Sequence, residues 1–268
     1  MDLHKYSSLD VEKVNKCQII ANMMCRDEPF AVYGLLSIID YIDYALVVDT
    51  GSEDGTFEEL VELSKMFPDK IDLRQIKLSN GHNWSITNRQ VIVDGIPSDV
   101  RKSLGNIRRY MHKISNSEWV WLIDGDEVYY QTLADNCRQL MCGEIGNKIC
   151  IYLPFIDYVQ KFGHVGQYHN MGRLFKQNQT TISDDYPCEM HCDLRGKMLQ
   201  SHNPTVLNVS AQLFTNKVQH FESILKPNRK NHSVKDVIEI SQMPEVFIKY
   251  NNQFPRIEKY VCITDLTD

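Results

Sequence analysis

Three carboxylates stand within four positions of the sequence, at Asp124, Asp126 and Glu127. They directly follow an apolar run, Val120 to Ile123, that is typical of a buried strand. Like charges this close repel one another, and a buried cluster is tolerated only where a cation or several hydrogen-bond donors neutralise it. The sequence therefore predicts that positive charge lies against these side chains.

Asp124 and Asp126 are two positions apart at the end of the predicted strand. In extended backbone this period directs both side chains to the same face. Two carboxylates on one face offer hard oxygen ligands suited to Mg²⁺ or Mn²⁺, with room for phosphate oxygens of a substrate. An acidic, solvated first turn of a helix is the alternative. The strand before them, Trp119 to Ile123, favours the metal-site interpretation.

A second polar loop, Asp49 to Thr56, follows the apolar run Ala45 to Val48. Its glycines permit sharp turns, and Ser52 and Asp54 can cap a following helix, so a purely structural loop is one interpretation. The other is the wall of a nucleotide pocket, because Asp49 can accept a hydrogen bond from a base N–H or a ribose hydroxyl. The loop is not a P-loop, since no Gly-Lys-Ser/Thr sequence follows it.

The elements that position these loops alternate between strand and helix. Apolar runs predict strands at Lys16 to Ala21, Ala45 to Val48, Ile71 to Leu78 and Glu118 to Ile123. Helical spacing predicts helices at Phe30 to Ile42, Phe57 to Leu63, Asn83 to Val93 and Val100 to Ile114. This alternation predicts an α/β fold with a mostly parallel central sheet and helices on both faces.

In such sheets, ligands bind beyond the carboxyl ends of the strands. Three polar loops fall at those ends: Arg26 to Glu28, Asp49 to Gly55, and Asp124 to Glu127. The second half of the chain is less regular. We expect a strand at Ile151 to Phe155 and a glycine- and histidine-rich loop at Gly163 to Gly172, in which the sequence assigns no role to His164 and His169.

Composition narrows the class of protein. The chain has 268 residues, 43% hydrophobic and 24% charged. A chain of this length can bury a core large enough to stabilise one domain without disulfides or structural metals. Its net charge of -6 argues against a surface that attracts nucleic acid or acidic lipid as a whole. Its apolar runs are far shorter than the roughly 20 residues that cross a bilayer, and its start is too polar for a signal sequence, so a cytoplasmic protein is the default expectation. The eight cysteines lack the spacing of a structural zinc site.

Taken together and in order, three motifs resemble those of the inverting GT-A glycosyltransferases of the family 2 type. The motifs are Cys17-Gln-Ile-Ile-Ala-Asn22 with Arg26-Asp-Glu28, Leu46-Val-Val-Asp-Thr-Gly-Ser-Glu-Asp-Gly-Thr56, and Trp119-Val-Trp-Leu-Ile-Asp-Gly-Asp-Glu127. The subgroup with the clearest resemblance includes bacterial and phage peptide S-glycosyltransferases and lipopolysaccharide core enzymes. The resemblance covers about residues 15 to 130. It implies one GT-A (Rossmann-like) domain over residues 1–268, with a nucleotide-sugar-binding half at 1–130 and an acceptor-binding half with a C-terminal tail at 131–268.

The resemblance also implies roles for individual residues in the transfer of a sugar from a nucleotide diphosphate donor, usually UDP-linked. Asp49 would contact the nucleobase, with Glu28 close to the same pocket. Asp124 and Asp126 would hold the ribose and a Mn²⁺ or Mg²⁺ ion, and His220, which could equally be a core residue, would complete the metal ligands. The other predicted nucleotide-binding residues are Asn22, Arg26, Ser52, Asn88, Arg89, Gly125 and Arg229.

Two stretches leave alternatives open. Asn88 precedes Arg89 here, the reverse of the order in the family, so either side chain could reach the diphosphate, and the stretch could also be a capped helix. Inversion requires a base that takes the acceptor proton on the face opposite the diphosphate. Because Met171 to Lys176 and Cys188 to His191 resemble the Arg-Leu-Phe and His-Glu segments of the family, with the latter rearranged, Glu189 is the candidate base. Asp185 is the second candidate, and an exposed loop carboxylate is the alternative for Glu189.

The acceptor is not defined by the sequence. A protein or peptide, a glycan and a hydroxylated DNA base are all compatible with it, the last because of a basic cluster at Arg108, Arg109 and Lys113. Two other classes of protein remain open. A nucleotidyltransferase or pyrophosphorylase would carry a glycine-rich basic loop after its first strand, and Met23 to Asp27 has no glycine and one basic residue. A non-catalytic nucleotide-sugar-binding module would keep the fold without turnover.

Overall fold

The computed structural model describes residues 19–75, 90–93, 96–143, 145–158, 164–182, 191–209, 218–221, 236–237, 244–250 and 253–254, with side chains described outside 90–106, 164, 236–237 and 248. The strands are β1 (Ile19–Cys25), β2 (Tyr44–Asp49), β3 (Ile71–Gln75), β4 (Gln90–Val93), β5 (Ile96–Asp99), β6 (Trp119–Asp124), β7 (Glu127–Val128), β8 (Cys150–Tyr158), β9 (His164–Lys176), β10 (Thr180–Ile182), β11 (His191–Asp193), β12 (Val206–Asn208), β13 (Val218–His220) and β14 (Asp236–Val237). The helices are α1 (Ala31–Ile38), α2 (Thr56–Met66), α3 (Val100–Ser115), α4 (Gln131–Cys142) and α5 (Glu245–Tyr250), with a short 3₁₀ turn at Gln177–Gln179. None of the described helices is long and apolar enough to cross a membrane.

Among the described residues, one ten-stranded sheet runs in the order β3-β2-β1-β6-β9-β8-β13-β7, with β12 paired to β8 and β14 paired to β9. Strands β3, β2, β1 and β6 are parallel, which confirms the predicted arrangement for this part of the sheet. The second half is mixed, because β9 is antiparallel to both β6 and β8. Only residues 159–163 separate β8 from β9, and a parallel pair needs a crossover of a dozen residues or more.

Helices cover both faces of the parallel part of the sheet. Asn22 and Met23 are consecutive in β1, so their side chains point to opposite faces. The Asn22 side chain accepts a hydrogen bond from Ser115 Oγ of α3 at 3.0 Å. On the other face, the position of Gly34 in α1 is so close to the sheet that an added Cβ would lie 3.3 Å from Met23 Cε. The predicted α/β layering is therefore present in this half.

Two of the predicted elements are wrong. The stretch 163–172, predicted as a loop, lies largely in β9, because pairing with β8 along most of its length overrides the weak strand preference of its glycines. Gly172 is required by this pairing, since an added Cβ would lie 2.9 Å from the ring of Tyr152. Gln90–Val93, predicted as the end of a helix, is strand β4, which pairs antiparallel with β5.

An aromatic cluster fixes β13 and the C-terminal helix against α1. The rings of Phe30 and Phe221 stack with centroids 4.1 Å apart, and Phe247 packs edge-on to both of them. Tyr33 donates a hydrogen bond from its hydroxyl to the carbonyl of Phe254 at 2.7 Å. Because Phe221 directly follows β13, this cluster also determines where the end of that strand lies.

Candidate functional site

The three polar loops meet at one edge of the sheet, as the sequence predicts. In the parallel register Cys25, the last residue of β1, pairs with Asp49, the last residue of β2. On the other side of β1, Met24 pairs with Asp124, the last residue of β6. The carboxyl ends of three neighbouring strands therefore lie side by side, which is where parallel sheets bind their ligands.

The loops after β1 and β2 are hydrogen-bonded to each other. The backbone N–H of Asp27 donates to Ser52 Oγ at 2.9 Å, and the N–H of Glu53 donates to Asp27 Oδ1 at 2.7 Å. Asp27 has a φ of 51°, in the left-handed region that Asp tolerates better than most residues. Because each loop satisfies polar groups of the other, the two form one wall of the edge.

Asp49 caps the loop that follows it. Its side chain is fully buried, and its Oδ1 accepts from the backbone N–H groups of Gly51 and Ser52, both at 3.0 Å, and from Gln75 Nε2 at 3.2 Å. Its Oδ2 accepts from Ser52 Oγ. These contacts match the structural interpretation of the loop. The contact of Asp49 with a nucleobase stays a prediction.

Gly125 brings the turn after β6 into contact with the loop after β1. An added Cβ at Gly125 would lie 2.2 Å from Glu28 Oε2 and 2.7 Å from Cys25 Cβ. No larger residue fits without a shift of the backbone, so the glycine is needed for close approach. Glu28 and Gly125, two of the predicted nucleotide-binding residues, are thus in contact.

Asp124 is held by two guanidinium groups. Its Oδ2 accepts from Arg173 Nη2 at 2.9 Å, and its Oδ1 accepts from Arg108 Nη2. Arg108 also donates to the backbone carbonyl of Asn22 at 3.3 Å. Burial acts to raise the pKa of Asp124, but attraction to Arg173 and Arg108 outweighs it, so the pKa is below its ordinary value. Asp124 is therefore ionised.

Glu127 shares Arg173 with Asp124. Its side chain is fully buried and accepts from Arg173 Nε at 2.9 and 3.1 Å and from Tyr129 Oη at 3.2 Å. Burial raises the pKa of Glu127 to about 7, even though Arg173 acts in the opposite direction. Asp124, Glu127 and the two arginines thus form one connected network of charges.

Asp126 lies against His220 instead. Asp126 is buried, and its Oδ2 is 3.6 Å from Nε2 of His220. The other ring nitrogen of His220, Nδ1, is 2.6 Å from Asp157 Oδ1. Burial acts to lower the pKa of His220, but attraction to Asp126 and Asp157 raises it to about 9. The positive charge that the sequence predicts is therefore present on the chain's own Arg108, Arg173 and His220.

Asp124 and Asp126 do not both lie in extended strand, as the prediction of a shared face requires. Strand β6 ends at Asp124, and residues 125 and 126 form a turn before β7. The period-two rule holds only in extended backbone. The two carboxylates consequently have different partners, the arginines for Asp124 and His220 for Asp126.

Asp126 and His220 would supply two ligands to a divalent cation, which would displace the proton from Nε2 of His220. In the part of the chain that the structure describes, no group of three or more His, Cys, Asp or Glu residues is placed to hold a metal ion. A carboxylate beside an imidazole whose other nitrogen is held by a second carboxylate is nevertheless the arrangement found around metal-binding histidines. Asp124 differs, since both of its oxygens accept from guanidinium groups. Its role as a metal ligand stays a prediction.

Several predicted residues are not brought into this cluster. Arg26 is buried, with its Nε 3.6 Å from Asp27 Oδ2. The side chain of Asn22 lies beneath α3, bonded to Ser115. The remaining predicted residues lie outside the described part of the chain, and their roles stay predictions: Glu189, Asp185, Asn88, Arg89 and Arg229.

Three charged residues that complete the cluster were not predicted as part of it: Arg108, Arg173 and Asp157. The sequence does carry one signal for Asp157, because it is the only charged residue in the strand Cys150–Tyr158. A charge inside a buried run requires a partner of opposite charge. The identity of that partner depends on how distant strands pair, which the local sequence does not show.

Comparisons with known proteins give limited similarity. No protein-family profile and no curated protein sequence matches the chain. The chain is similar to the crystal structure of S. aureus TarS residues 1–349, with a TM-score of 0.42, 9% identity, and coverage of 78% of this chain and 61% of that one. A glycosyltransferase involved in the glycosylation of the major capsid of PBCV-1 gives a TM-score of 0.24 at 9% identity, covering 59% of this chain and 61% of that one. The chain thus spans about three fifths of each structure. Because both scores are low, the assignment of a function rests on the site.

Proposed function

We propose that the protein is a metal-dependent, inverting GT-A glycosyltransferase that moves a sugar from a UDP-linked donor to a protein, glycan or modified-base acceptor. The observation that carries this proposal is the Asp126–His220 pair at the edge where three polar loops meet. The ordered sequence motifs that end in Asp49 to Thr56 and Trp119 to Glu127 support the same function.

In this proposal Asp126 and His220 hold Mn²⁺ or Mg²⁺. The cation, when bound, offsets the negative charge that grows on the departing diphosphate. Asp124 is ionised between Arg108 and Arg173 at the end of β6. In the proposal it faces the ribose of the donor. Glu28, from the loop after β1, and Asp49, at the end of β2, border the nucleotide pocket.

The proposal extends to residues outside the described part of the chain. Glu189 or Asp185 acts as the base that removes the acceptor proton during inversion. Asn88 or Arg89 contacts the diphosphate, and Arg229 closes over it, because a guanidinium matches the geometry of phosphate oxygens.

The test is release of UDP from a panel of UDP-sugars, with and without Mn²⁺ and candidate acceptors. We expect release from one donor that requires the cation. Asp126→Asn should lower this rate by about 100-fold or more, because it removes the charge that holds the cation but not the volume of the side chain.

The matched control is Asp43→Asn. Asp43 accepts from the N–H of Ile19 at 2.9 Å at the opposite edge of the sheet, so its loss removes a structural carboxylate far from the site. The control should keep the wild-type rate. Full activity of Asp126→Asn would contradict the metal assignment.

A further inference from the structure

The imidazole of His220 lies between two carboxylates that come from different parts of the sheet. Strand β13 pairs in parallel with β8, and in this register His220 is directly opposite Asp157. Its Nδ1 is 2.6 Å from Asp157 Oδ1, whereas its Nε2 faces Asp126 Oδ2 at 3.6 Å. The ring is therefore held from one side and presents its second nitrogen to the proposed cation site.

Asp157 is itself held in place. It is 1% exposed, and its Oδ2 accepts from Gln167 Nε2 and lies 3.6 Å from His169 Nδ1. The ring of His169 in turn stacks on Phe155, with centroids 5.3 Å apart. With Oδ2 hydrogen-bonded to Gln167 of β9, Oδ1 is directed at His220.

This contact has a chemical consequence for the ring. An ionised carboxylate only accepts hydrogen bonds, so the Nδ1 that it contacts must carry a proton. In the neutral imidazole that a metal requires, the lone pair is then on Nε2, which faces Asp126. A carboxylate at this position also makes the imidazole a stronger ligand.

We propose that Asp157, held by its hydrogen bond from Gln167, is a positioning residue that fixes the tautomer and orientation of His220, so that Nε2 and Asp126 together form the cation site. This inference rests on the proposed function, because it requires a cation at Asp126 and His220. The competing explanation is that the Asp157–His220 contact only ties β13 to β8.

The test measures binding of Mn²⁺ alone to the full chain by calorimetry. Asp157→Asn keeps the shape of the side chain and should raise the Kd for Mn²⁺ about 10- to 100-fold, the range seen when the carboxylate behind a metal-binding histidine is removed. Asp43→Asn, the same substitution at the other edge of the sheet, should leave the Kd unchanged.

A second readout separates positioning from mere structural support. Electron spin echo spectra of bound Mn²⁺ show the coupling of a ligand nitrogen. The wild type should show one such nitrogen, His220→Gln should abolish it, and Asp157→Asn and Asp157→Ala should weaken or abolish it although His220 is still present. Thermal unfolding of each variant reports whether the fold is retained.

Each outcome supports or overturns the inference. If the wild type binds Mn²⁺ through a nitrogen and the Asp157 variants do so with equal affinity, the inference is wrong and the proposed function stands. Lowered thermal stability with unchanged Mn²⁺ binding leads to the same conclusion. If the wild type binds no Mn²⁺, or binds it without a nitrogen ligand, the inference is overturned, whereas the metal-dependent function is tested separately by the cation-dependent release of UDP.

Discussion

Arg173 is the side chain that compensates the charge of two carboxylates, Asp124 at the end of β6 and Glu127 at the start of β7. It is buried, donates to Glu127 through Nε and to Asp124 through Nη2, and its guanidinium lies 5.2 Å from the centroid of the Phe155 ring. A buried ion pair adds little compared with an apolar pair of the same shape, but removing one partner leaves an uncompensated charge. As long as Glu127 and Asp124 carry their carboxylates, this edge of the sheet therefore needs the guanidinium of Arg173 to be stable.

At about pH 8, above the pKa of about 7 of Glu127, Arg173→Met should lower the free energy of unfolding by about 3–5 kcal/mol, because it leaves the buried, ionised carboxylate of Glu127 without its cation. Adding Glu127→Gln to that variant should recover part of the loss, since the fully buried side chain is then neutral. Urea denaturation of the wild type, both single variants and the double variant measures this coupling as a double-mutant cycle.

The control for that cycle is Lys65→Met. Lys65 pairs with Glu62 on α2, and both side chains are 64% exposed, so the loss should stay below about 1 kcal/mol. Equal effects of Arg173→Met and Lys65→Met, or strictly additive effects of Arg173→Met and Glu127→Gln, would show that the buried network is not coupled.

At the scale of elements, two buried histidines, His112 and His191, lie in the contact between α3 and the small β10–β11 sheet. Nε2 of His112 in α3 is 3.0 Å from the carbonyl oxygen of Thr180. His191 of β11 stacks on Phe175 at 3.6 Å between centroids and lies 5.6 Å from His112. Burial lowers the pKa of both histidines below the ordinary value of 6.5, so both are neutral in the folded protein.

This burial predicts how stability changes with pH. Both histidines have lower pKa values in the folded protein than in the unfolded chain, so the unfolded chain binds protons first as the pH falls. The stabilisation that the two neutral histidines give the folded protein is therefore complete above pH 6.5 and is lost as the pH falls below that value. The slope should reach at most about 1.4 kcal/mol per pH unit for each histidine. His191→Phe keeps a ring against Phe175 and should lose less stability between pH 7 and pH 5, measured by urea denaturation at each pH.

An exposed histidine provides the comparison. His202→Phe should lose stability with the same slope as the wild type, because the side chain it replaces is at the surface. A wild-type slope in His191→Phe as well would mean that this ring does not contribute to acid sensitivity.

The sequence predicts best the elements whose cause is local. Strands β2 and β6 follow from apolar runs, and α3 follows from helical spacing. The strand β9 does not, because its glycines and histidines are held extended by pairing with β8. The same division applies to the site. Asp124 and Asp126 are visible as a local cluster, but the contact of His220 with Asp157 joins residues 63 positions apart.

For the whole molecule, the proposed cation site exists only when distant segments are assembled. Asp126 precedes β7, which pairs antiparallel with β13, so Glu127 is opposite His220. The N–H of Phe221 donates to the carbonyl of Asp126 at 2.9 Å, and Phe221 is anchored by the aromatic cluster on α1. Unfolding separates these groups, so a cation that binds them must stabilise the folded chain.

Mn²⁺ with UDP should therefore raise the melting temperature. At a ligand concentration of about 100 times its Kd, the stabilisation is about 2.7 kcal/mol, which corresponds to a shift of about 5–10 °C for a chain of this size. UDP without a cation should give little shift in melting temperature, because the negative diphosphate would then lie beside the Asp126 carboxylate with no cation between them. Asp126→Asn should abolish the joint effect of Mn²⁺ and UDP, and Asp43→Asn should keep it.

A shift in melting temperature with UDP alone would contradict the cation-dependent site. A full shift with Mn²⁺ and UDP together, but without UDP release from any UDP-sugar, would identify a binding module instead of an enzyme.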